Sequence, residues 1–320
     1  MVELEQESRQ KISGSLGQKP VQTIKDIDTE DYIKAGTFAC SGCQPVLGIK
    51  LALKALGKNT IMVNSSGCMT LTATYPFTPY KIPWVHNAIE NADSTASGIF
   101  MGLKRKGLEK KVNILVYAGD GATYDIGFQA LSGMFDRFEN VIHVCYNNEI
   151  FANTGYQRSA ATPLFARTTT TPIEKKSRGN LIPRKHMAKI MMAHDSPYVA
   201  TACTSYPLDF MKKVQKASTI YGPKYIELLA PCIPGWILST EQGRKSGELS
   251  VQSGLWPLYE LENGKFSVSM QPKMIPVKEA LKMQGRYAHL NDEEIDEIQE
   301  MVNKEWESYN KGEFWTVHEY

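Results

Sequence analysis

The sequence predicts a doubly wound α/β fold built on a mostly parallel sheet. Apolar, β-branched runs alternate with helix-length segments along most of the chain. Two of these runs, Val112–Ala118 and Val141–Tyr146, flank one helix-length segment, as the strands of a β-α-β unit do. Both runs are followed by side chains that bind through oxygen, Asp120 after the first and Asn148 after the second. Since ligands bind at the carboxyl ends of parallel strands, this edge of the sheet is the predicted site.

The remaining elements follow from periodicity and from proline and glycine positions. Pro45 suits the first turn of a helix, and Gly57 suits its end. Three prolines predict a loop over Tyr75–Trp84, and Ala161–Pro183 lacks periodicity and predicts a long surface excursion. In chain order, the predicted helices are Val46–Leu56, Ala92–Lys106, Arg184–His194, Pro207–Tyr221, Val277–Gln284 and Asn291–Tyr309, and the further strands are Thr60–Asn64, Tyr198–Ala202 and Tyr225–Leu229.

We divide the chain into three parts. Residues 1–30 are polar and form an N-terminal arm, 31–253 form the ligand-binding body, and 254–320 form a C-terminal helical extension. We expect this extension to pack on the body or on a partner subunit, with Phe314 and Trp315 as docking aromatics.

Composition excludes several classes of function. The net charge of +2 gives no reason to expect nucleic acid as a partner. No run of apolar residues is long enough to span a membrane, and the acidic N-terminus does not resemble a secretion signal. We therefore expect a cytoplasmic protein, in which the 6 cysteines are reduced and are structural, catalytic or metal-binding.

The segment Gly119-Asp120-Gly121 carries the first candidate site. The glycines allow a sharp turn and close approach of a phosphate, and Asp120 supplies a carboxylate. After one crossover helix the chain returns with Asn148, which we expect beside Asp120. Mg²⁺ prefers such oxygen ligands together with diphosphate oxygens. The pattern resembles the thiamin diphosphate signature, whereas a lone Gly-Asp-Gly would be a plain turn.

Four cysteines carry the second candidate site. Cys40, Cys43, Cys68 and Cys232 each flank a predicted element, and we expect them at one edge of the sheet. Four converging thiolates could hold Zn²⁺ or an iron–sulfur cluster, and a Cys-x-x-Cys pair alone could also be a redox dithiol. An iron–sulfur cluster fits the scattered spacing best. The remaining two, Cys145 and Cys203, lie in apolar strands and are predicted core residues.

Both sites, with the run Asn147–Ser159 between them, resemble the β subunits of the 2-oxoacid:ferredoxin oxidoreductase family, pyruvate:ferredoxin oxidoreductase in particular. The resemblance spans roughly residues 40–290. It implies that Asp120, Asn148 and the carbonyl of Ile150 bind Mg²⁺ beside Gly119 and Gly121, that Asn153 acts near the reacting carbon of thiamin diphosphate, and that the four cysteines hold a [4Fe–4S] cluster.

The resemblance also implies partners. An α subunit would supply the glutamate that contacts the aminopyrimidine, and γ and ferredoxin-like δ subunits would carry electrons to an external ferredoxin. Coenzyme A and a 2-oxoacid, pyruvate first among them, would be the substrates. We therefore expect an obligate hetero-oligomer that is inactive as a single chain.

Alternatives remain open at this stage. The substrate could be another 2-oxoacid or oxalate. The chain could be a non-redox thiamin diphosphate lyase with a structural Zn²⁺, or a Zn²⁺-stabilised assembly subunit. His86 and His143 are predicted structural residues. The cluster of Lys175, Lys176 and Arg178 is predicted to be a solvated loop, with coenzyme A phosphates or an acidic ferredoxin as the sharper hypothesis.

Overall fold

The computed structural model describes residues 19–73 and 76–315. The strands are β1 (Thr60–Ser65), β2 (Trp84–Asn87), β3 (Asn113–Gly119), β4 (Ile142–Asn147), β5 (Ile173–Glu174), β6 (Ser177–Arg178), β7 (Tyr198–Cys203), β8 (Lys224–Leu229), β9 (Leu258–Glu262) and β10 (Lys265–Met270). The α-helices are α1 (Gln44–Leu56), α2 (Ala92–Arg105), α3 (Phe128–Asp136), α4 (Met187–Met192), α5 (Pro207–Ser218), α6 (Gln242–Gln252), α7 (Val277–Met283) and α8 (Asp292–Asn310).

Eight of the strands form one sheet, in the order β10-β9-β7-β8-β4-β3-β1-β2. The six strands from β7 to β2 in that order pair in parallel, and in this sheet only the pairings of β9 with β7 and with β10 are antiparallel. Every residue of β4, β7 and β8 is buried, as expected for strands covered on both faces. The doubly wound, mostly parallel sheet predicted from the sequence is confirmed.

Helices cover both faces of this sheet. Along β3, Leu115 and Tyr117 point to the face covered by α1 and α5, whereas Ile114 and Val116 point to the face covered by α2, α3 and α8. This alternation is the period of two that a strand imposes on its side chains. Two apolar clusters therefore hold the sheet rigid between them, and its carboxyl edge is left free for loops.

Most predicted elements lie within a few residues of the observed ones, but four differ. The loop predicted over Tyr75–Trp84 ends in an edge strand, β2, whose side chains are partly exposed and gave no apolar signal. The helix predicted at Arg184–His194 is reduced to α4. Helix α6 was not predicted, because its sequence is polar and contains two glycines.

The hairpin of β9 and β10 is the fourth difference. Its turn is Asn263-Gly264, and both residues have positive φ, 49° and 77°. Asn-Gly between two alternating runs is a strong hairpin signal that the sequence analysis missed. Because β9 pairs with β7, the C-terminal segment begins inside the main sheet, and only its later part is helical. The proposed division into arm, body and extension stays a prediction.

The two ends of the chain carry further expectations. Residues 1–18, most of the predicted arm, lie outside the described residues. At the other end, Phe314 stacks on Phe266 and meets Tyr259 edge-on, whereas Trp315 is 62% exposed. No helix in the described ranges combines the length and the apolar character needed to cross a lipid bilayer.

Gly48 provides a test of how tightly α1 packs on the sheet. A Cβ there would lie 2.5 Å from the Tyr117 hydroxyl and 2.6 Å from Leu228 Cδ2. We expect Gly48→Ala to lower the free energy of unfolding by about 1–3 kcal/mol because it overpacks the core. Urea denaturation measures this. Gly102→Ala, on the exposed face of α2 with nothing near its Cβ, is the matched control. It should stabilise by up to about 1 kcal/mol, and equal effects of the two substitutions would contradict the packing argument.

Candidate cofactor and metal site

The register of β3 and β4 brings the two oxygen-bearing segments together. These strands pair in parallel with Gly119 opposite Tyr146, so the residues that follow them emerge side by side. The backbone N–H of Asn148 donates to Asp120 Oδ1 at 3.2 Å. Asp120 and Asn148 are both buried. The structure therefore brings together the carboxylate and the amide that the sequence analysis expected to meet.

Three oxygens converge at this point. Asn148 Oδ1 lies 3.1 Å from Asp120 Oδ1 and 2.7 Å from the carbonyl oxygen of Ile150. Octahedral Mg²⁺ with bonds near 2.05 Å places neighbouring ligand oxygens about 2.9 Å apart. Rotating the amide would replace its oxygen with an NH₂ group that donates to the other two oxygens. The orientation with oxygen inward is the one that a cation stabilises, so the donor set fits Mg²⁺.

The electrostatics of Asp120 agree with this fit. Burial raises the pKa of Asp120 to about 8, although hydrogen bonds from Ser159 Oγ, at 2.5 Å, and from Asn148 oppose the rise. A carboxylate that is costly to ionise in its surroundings gains most from a divalent cation beside it. Ser159 also fixes the orientation of the carboxylate, since it binds the oxygen that does not face Asn148.

A cleft of about 350 Å³ opens next to these oxygens. It contains Asn153, which is exposed, together with both predicted glycines. A Cβ on Gly121 would lie 2.3 Å from the Phe151 ring, and one on Gly119 would lie 3.1 Å from the Tyr146 ring. The glycines are therefore required by aromatic packing under the cleft, a reason that the sequence alone did not indicate.

The four predicted cysteines line a second cavity, of about 400 Å³. Cys43 is the residue before α1, Cys68 follows β1, and Cys232 follows β8, so the carboxyl edge of the sheet gathers them. Asn148 also lines this cavity, and Cys68 also lines the cleft beside Asp120. The oxygen site and the sulfur site are thus adjacent and share two residues.

The surroundings of the buried thiols disfavour the thiolate form. Burial raises the pKa of Cys43 to about 11 and the pKa values of Cys68 and Cys232 to about 12, and neighbouring cysteines add to the rise. Thiolates are the form that binds metal, so cationic iron or zinc would be needed to deprotonate this set. The backbone N–H of Gly235, 3.4 Å from Cys232 Sγ, is positioned to donate to that sulfur.

A single ion and a cluster require different spacings of the four sulfurs. Tetrahedral Zn²⁺ with bonds near 2.3 Å holds its sulfurs only about 3.8 Å apart. In the described ranges of the chain, no three His, Cys, Asp or Glu side chains converge closely enough to bind one ion. A four-iron cluster places one iron at each cysteine and so accommodates a wider set. Four cysteines around a cavity of about 400 Å³ fit such a cluster.

The other predicted residues have structural surroundings. Cys145 and Cys203 are fully buried in β4 and β7, as predicted for core residues. His143 is buried, with Nδ1 2.8 Å from Asp93 Oδ1 and Nε2 3.1 Å from Thr123 Oγ1. His86 contacts the hydroxyls of Ser66 and Thr70 through Nε2. Neither histidine lines the cleft.

The three basic residues of the excursion, Lys175, Lys176 and Arg178, have two different surroundings. Lys175 and Lys176 are exposed at the turn between β5 and β6, as expected for a solvated loop. Arg178 is different, because its guanidinium forms an ion pair with Glu294 of α8 at 2.5 Å. The Arg178 side chain is still 43% exposed, and its ion pair connects the excursion to the C-terminal helices.

Sequence reasoning missed a clamp behind the oxygen site, formed by Glu149, Trp236 and Arg286. Glu149 has φ of 65°, and its buried carboxylate pairs with Arg286 at 2.5 Å. The Arg286 guanidinium lies 3.8 Å from the centre of the Trp236 ring, and Trp236 Nε1 donates to the Asn148 carbonyl at 2.8 Å. The clamp thus holds the peptide segment between Asn148 and Ile150, and the strained φ at Glu149 is typical of functional sites.

Comparison with known proteins agrees with this geometry. A family profile described as "Thiamine pyrophosphate enzyme, C-terminal TPP binding domain" matches residues 65–228, which contain β2 to β7 and most of β8. Thiamine pyrophosphate is another name for thiamin diphosphate. Fold and site therefore define a thiamin diphosphate-binding domain.

Relatives that align with almost the whole chain narrow the class of protein. Pyruvate synthase subunit PorB of Methanocaldococcus jannaschii is 48% identical over 289 residues, covering 88% of this chain and 97% of the relative. PorB and ketoisovalerate oxidoreductase subunit VorB of Pyrococcus furiosus are each 40% identical, covering 88% and 89% of this chain and 94% of each relative. The chain belongs to the family of 2-oxoacid:ferredoxin oxidoreductase β subunits, so it is a subunit of an oxidoreductase.

A solved structure supports the fold. It is titled "2-oxoglutarate:ferredoxin oxidoreductase from Magnetococcus marinus with 2-oxoglutarate, coenzyme A and succinyl-CoA bound". The match has a TM-score of 0.57 at 17% identity and covers 87% of this chain and 99% of that chain.

The clamp predicts a large effect from a single substitution. Arg286→Met leaves the Glu149 carboxylate buried without a partner, so we expect the free energy of unfolding to fall by about 3–5 kcal/mol. Denaturant titration measures it. The double variant Arg286→Met/Glu149→Leu should recover much of the loss, because no unpaired charge remains.

The control is Lys278→Met, which breaks the pair between Lys278 and Asp292 at the surface. It should leave stability nearly unchanged, because solvent screens exposed pairs. A double variant no more stable than Arg286→Met alone would show that the buried ion pair is not the source of the loss.

Proposed function

We propose that this chain is the catalytic β subunit of a pyruvate:ferredoxin oxidoreductase that depends on coenzyme A. In this proposal it binds thiamin diphosphate through Mg²⁺ and passes electrons to a [4Fe–4S] cluster held in the same chain. The observation that supports it most is the adjacency of the oxygen site and the sulfur cavity, which share Cys68 and Asn148. Two separate functions would not require this contact, whereas transfer of electrons from one cofactor to the other does.

Each predicted site residue has a role in this proposal. Asp120, Asn148 and the carbonyl of Ile150 hold Mg²⁺, and the backbone of Gly119 and Gly121 borders the diphosphate. Thiamin diphosphate supplies the carbanion chemistry that a 2-oxoacid needs for decarboxylation. Asn153, an exposed amide in the cleft, donates a hydrogen bond to the substrate oxygen where negative charge develops.

The cysteines provide the electron acceptor. In the proposal, Cys40, Cys43, Cys68 and Cys232 each bind one iron of the cluster. Their apolar surroundings lower the dielectric around it and, with the N–H of Gly235 near Cys232, are the means by which the protein adjusts the reduction potential. A non-redox lyase with a structural Zn²⁺ would not need the sulfur cavity to lie against the oxygen site.

Pyruvate is the proposed substrate because three relatives, at 48–49% identity, are named as pyruvate synthase subunits. The Pyrococcus relatives do not discriminate, since PorB and VorB of P. furiosus are equally similar to this chain. Residues of other subunits would complete selection of the 2-oxoacid.

Partner chains complete the proposed enzyme. The cleft as described contains no glutamate that could contact an aminopyrimidine, and we assign this residue to an α subunit. Subunits of γ and ferredoxin-like δ type, and an external ferredoxin, would carry electrons away. A cytoplasmic location belongs to the proposal and rests on the need for reduced thiols.

Asp120→Asn tests the Mg²⁺ role within the assembled complex. We expect at least a hundredfold loss of pyruvate- and coenzyme A-dependent viologen reduction, and a similar weakening of thiamin diphosphate affinity, because the only charged protein ligand is removed. Absorption near 400 nm should remain. A panel of branched, aromatic and dicarboxylic oxoacids, tested with the assembled complex, measures its preference among 2-oxoacids. The chain alone is the inactive reference. Retained cofactor affinity in Asp120→Asn, or activity of the chain alone, would argue against the proposal.

Cys232→Ser tests the sulfur cavity. We expect loss of the brown colour and of most bound iron in protein purified without oxygen, because one of four ligands is replaced. Iron analysis and visible absorption measure both. Cys203→Ala, in the core beside β8, is the matched control and should keep a full complement of iron. Zinc in place of iron in the unaltered protein would instead support a structural ion.

A further inference from the structure

A large cavity lies behind the oxygen site, and the proposed function does not use it. It measures about 890 Å³ including its open mouth. We call it the back cavity. Its walls come from the clamp, from the excursion, from the segment after β8, and from α6, α7 and α8. The lining includes Trp236, Trp256, Leu229, Leu255, Leu281 and Met301.

One charged side chain in the back cavity has no hydrogen-bonding partner. Within residues 19–73 and 76–315, Arg184 forms no hydrogen bond or ion pair, and its guanidinium lies 5.1 Å from the centre of the Trp256 ring. A guanidinium is always charged and carries five N–H donors. Glu305, Glu149 and Glu227 stabilise this charge through space, but none of them accepts a hydrogen bond from it. Buried N–H donors without an acceptor are costly. Arg184 is therefore suited to receive an anion from outside the protein.

The walls restrict which anion fits. The carboxylates of Glu149 and Glu305 also line the cavity, and they repel a doubly charged group such as phosphate. Glu149 is already paired with Arg286, and Glu305 accepts from the Tyr309 hydroxyl at 2.6 Å. Two indoles and several aliphatic side chains form most of the remaining surface and favour an apolar ligand body.

We propose that the back cavity binds a small monocarboxylate with an apolar body, its carboxylate on Arg184 and its body against the indole rings. Such a carboxylate supplies the two acceptor oxygens that match a guanidinium. The aliphatic and aromatic lining excludes water from the rest of the ligand.

Binding of a ligand in the back cavity affects the oxygen site through the clamp. Trp236 forms part of the cavity wall and also donates to the Asn148 carbonyl. Glu149 lines the cavity and lies between Asn148 and Ile150, whose oxygens meet beside Asp120. A ligand that contacts these walls stabilises one position of the segment, so its binding is coupled to cofactor affinity. This coupling rests on the proposed function, whereas binding itself does not.

Calorimetry with two matched probes tests binding. We expect 3-phenylpropionate to bind the assembled complex at least tenfold more tightly than 3-phenyl-1-propanol, which has the same body and no charge. Arg184→Gln should remove this preference and leave the affinity for the alcohol unchanged. Arg244→Gln, at an exposed arginine of α6, is the matched control and should behave as the unaltered protein.

Several results would overturn the proposal. These are equal affinities for acid and alcohol, binding of neither probe, or a preference that survives Arg184→Gln. Binding to the full chain but not to the complex would mean that a partner subunit fills the cavity. Met301→Trp, which occupies space inside, serves as a second variant and should abolish binding of both probes.

The coupling between the back cavity and the cofactor site is measured separately. Saturating 3-phenylpropionate should change the affinity for thiamin diphosphate with Mg²⁺ at least threefold, and no change would remove the coupling. If thiamin diphosphate does not bind at all, the proposed function fails, whereas the probe titration still decides the back cavity.

Discussion

The convergence of three oxygens from Asp120, Asn148 and Ile150 is the constraint on which the rest of the structure depends. Oxygens of this kind repel one another when they are buried together, unless a cation lies between them or the Asn148 amide turns its NH₂ group inward. The parallel register of β3 and β4 fixes two of them. The third depends on the turn after β4, where Glu149 has a conformation that side chains rarely adopt. The fold thus supplies geometry that local sequence preferences oppose.

Support for that turn comes from a distant part of the chain. Arg286 lies between α7 and α8, and its charge satisfies Glu149 while its face packs on Trp236. Arg178 ties the excursion to α8 in the same way. The C-terminal helices are therefore part of the site's framework, although they carry none of the predicted ligands. The back cavity is the space that remains where these helices, the excursion and the site's loop meet.

Much of the fold and of the candidate site could be predicted, because the informative residues follow local rules. Pro45 and Gly57 mark the ends of α1, and apolar strands locate β3 and β4. Once a β-α-β unit is assumed, the meeting of Asp120 and Asn148 follows from topology alone. The cysteines could be grouped for the same reason, since each flanks an element at the carboxyl edge.

The remainder could not be predicted, because it depends on contacts between segments distant in sequence. Nothing in the residues around Glu149 indicates that its partner is Arg286, and Arg184 resembles any surface arginine until its neighbours are known. Edge strand β2 has four residues and is partly exposed, so its pairing with β1 is what defines it. The hairpin at Asn263-Gly264 differs, because its turn signal was present in the sequence. The distribution of the cysteines has a consequence for biosynthesis. Those before α1, after β1 and after β8 face one another only after the central strands have assembled, so a nascent or partly folded chain offers no complete thiol set. A metal held by all four cysteines would therefore be loaded late, into a cavity that the fold has already formed.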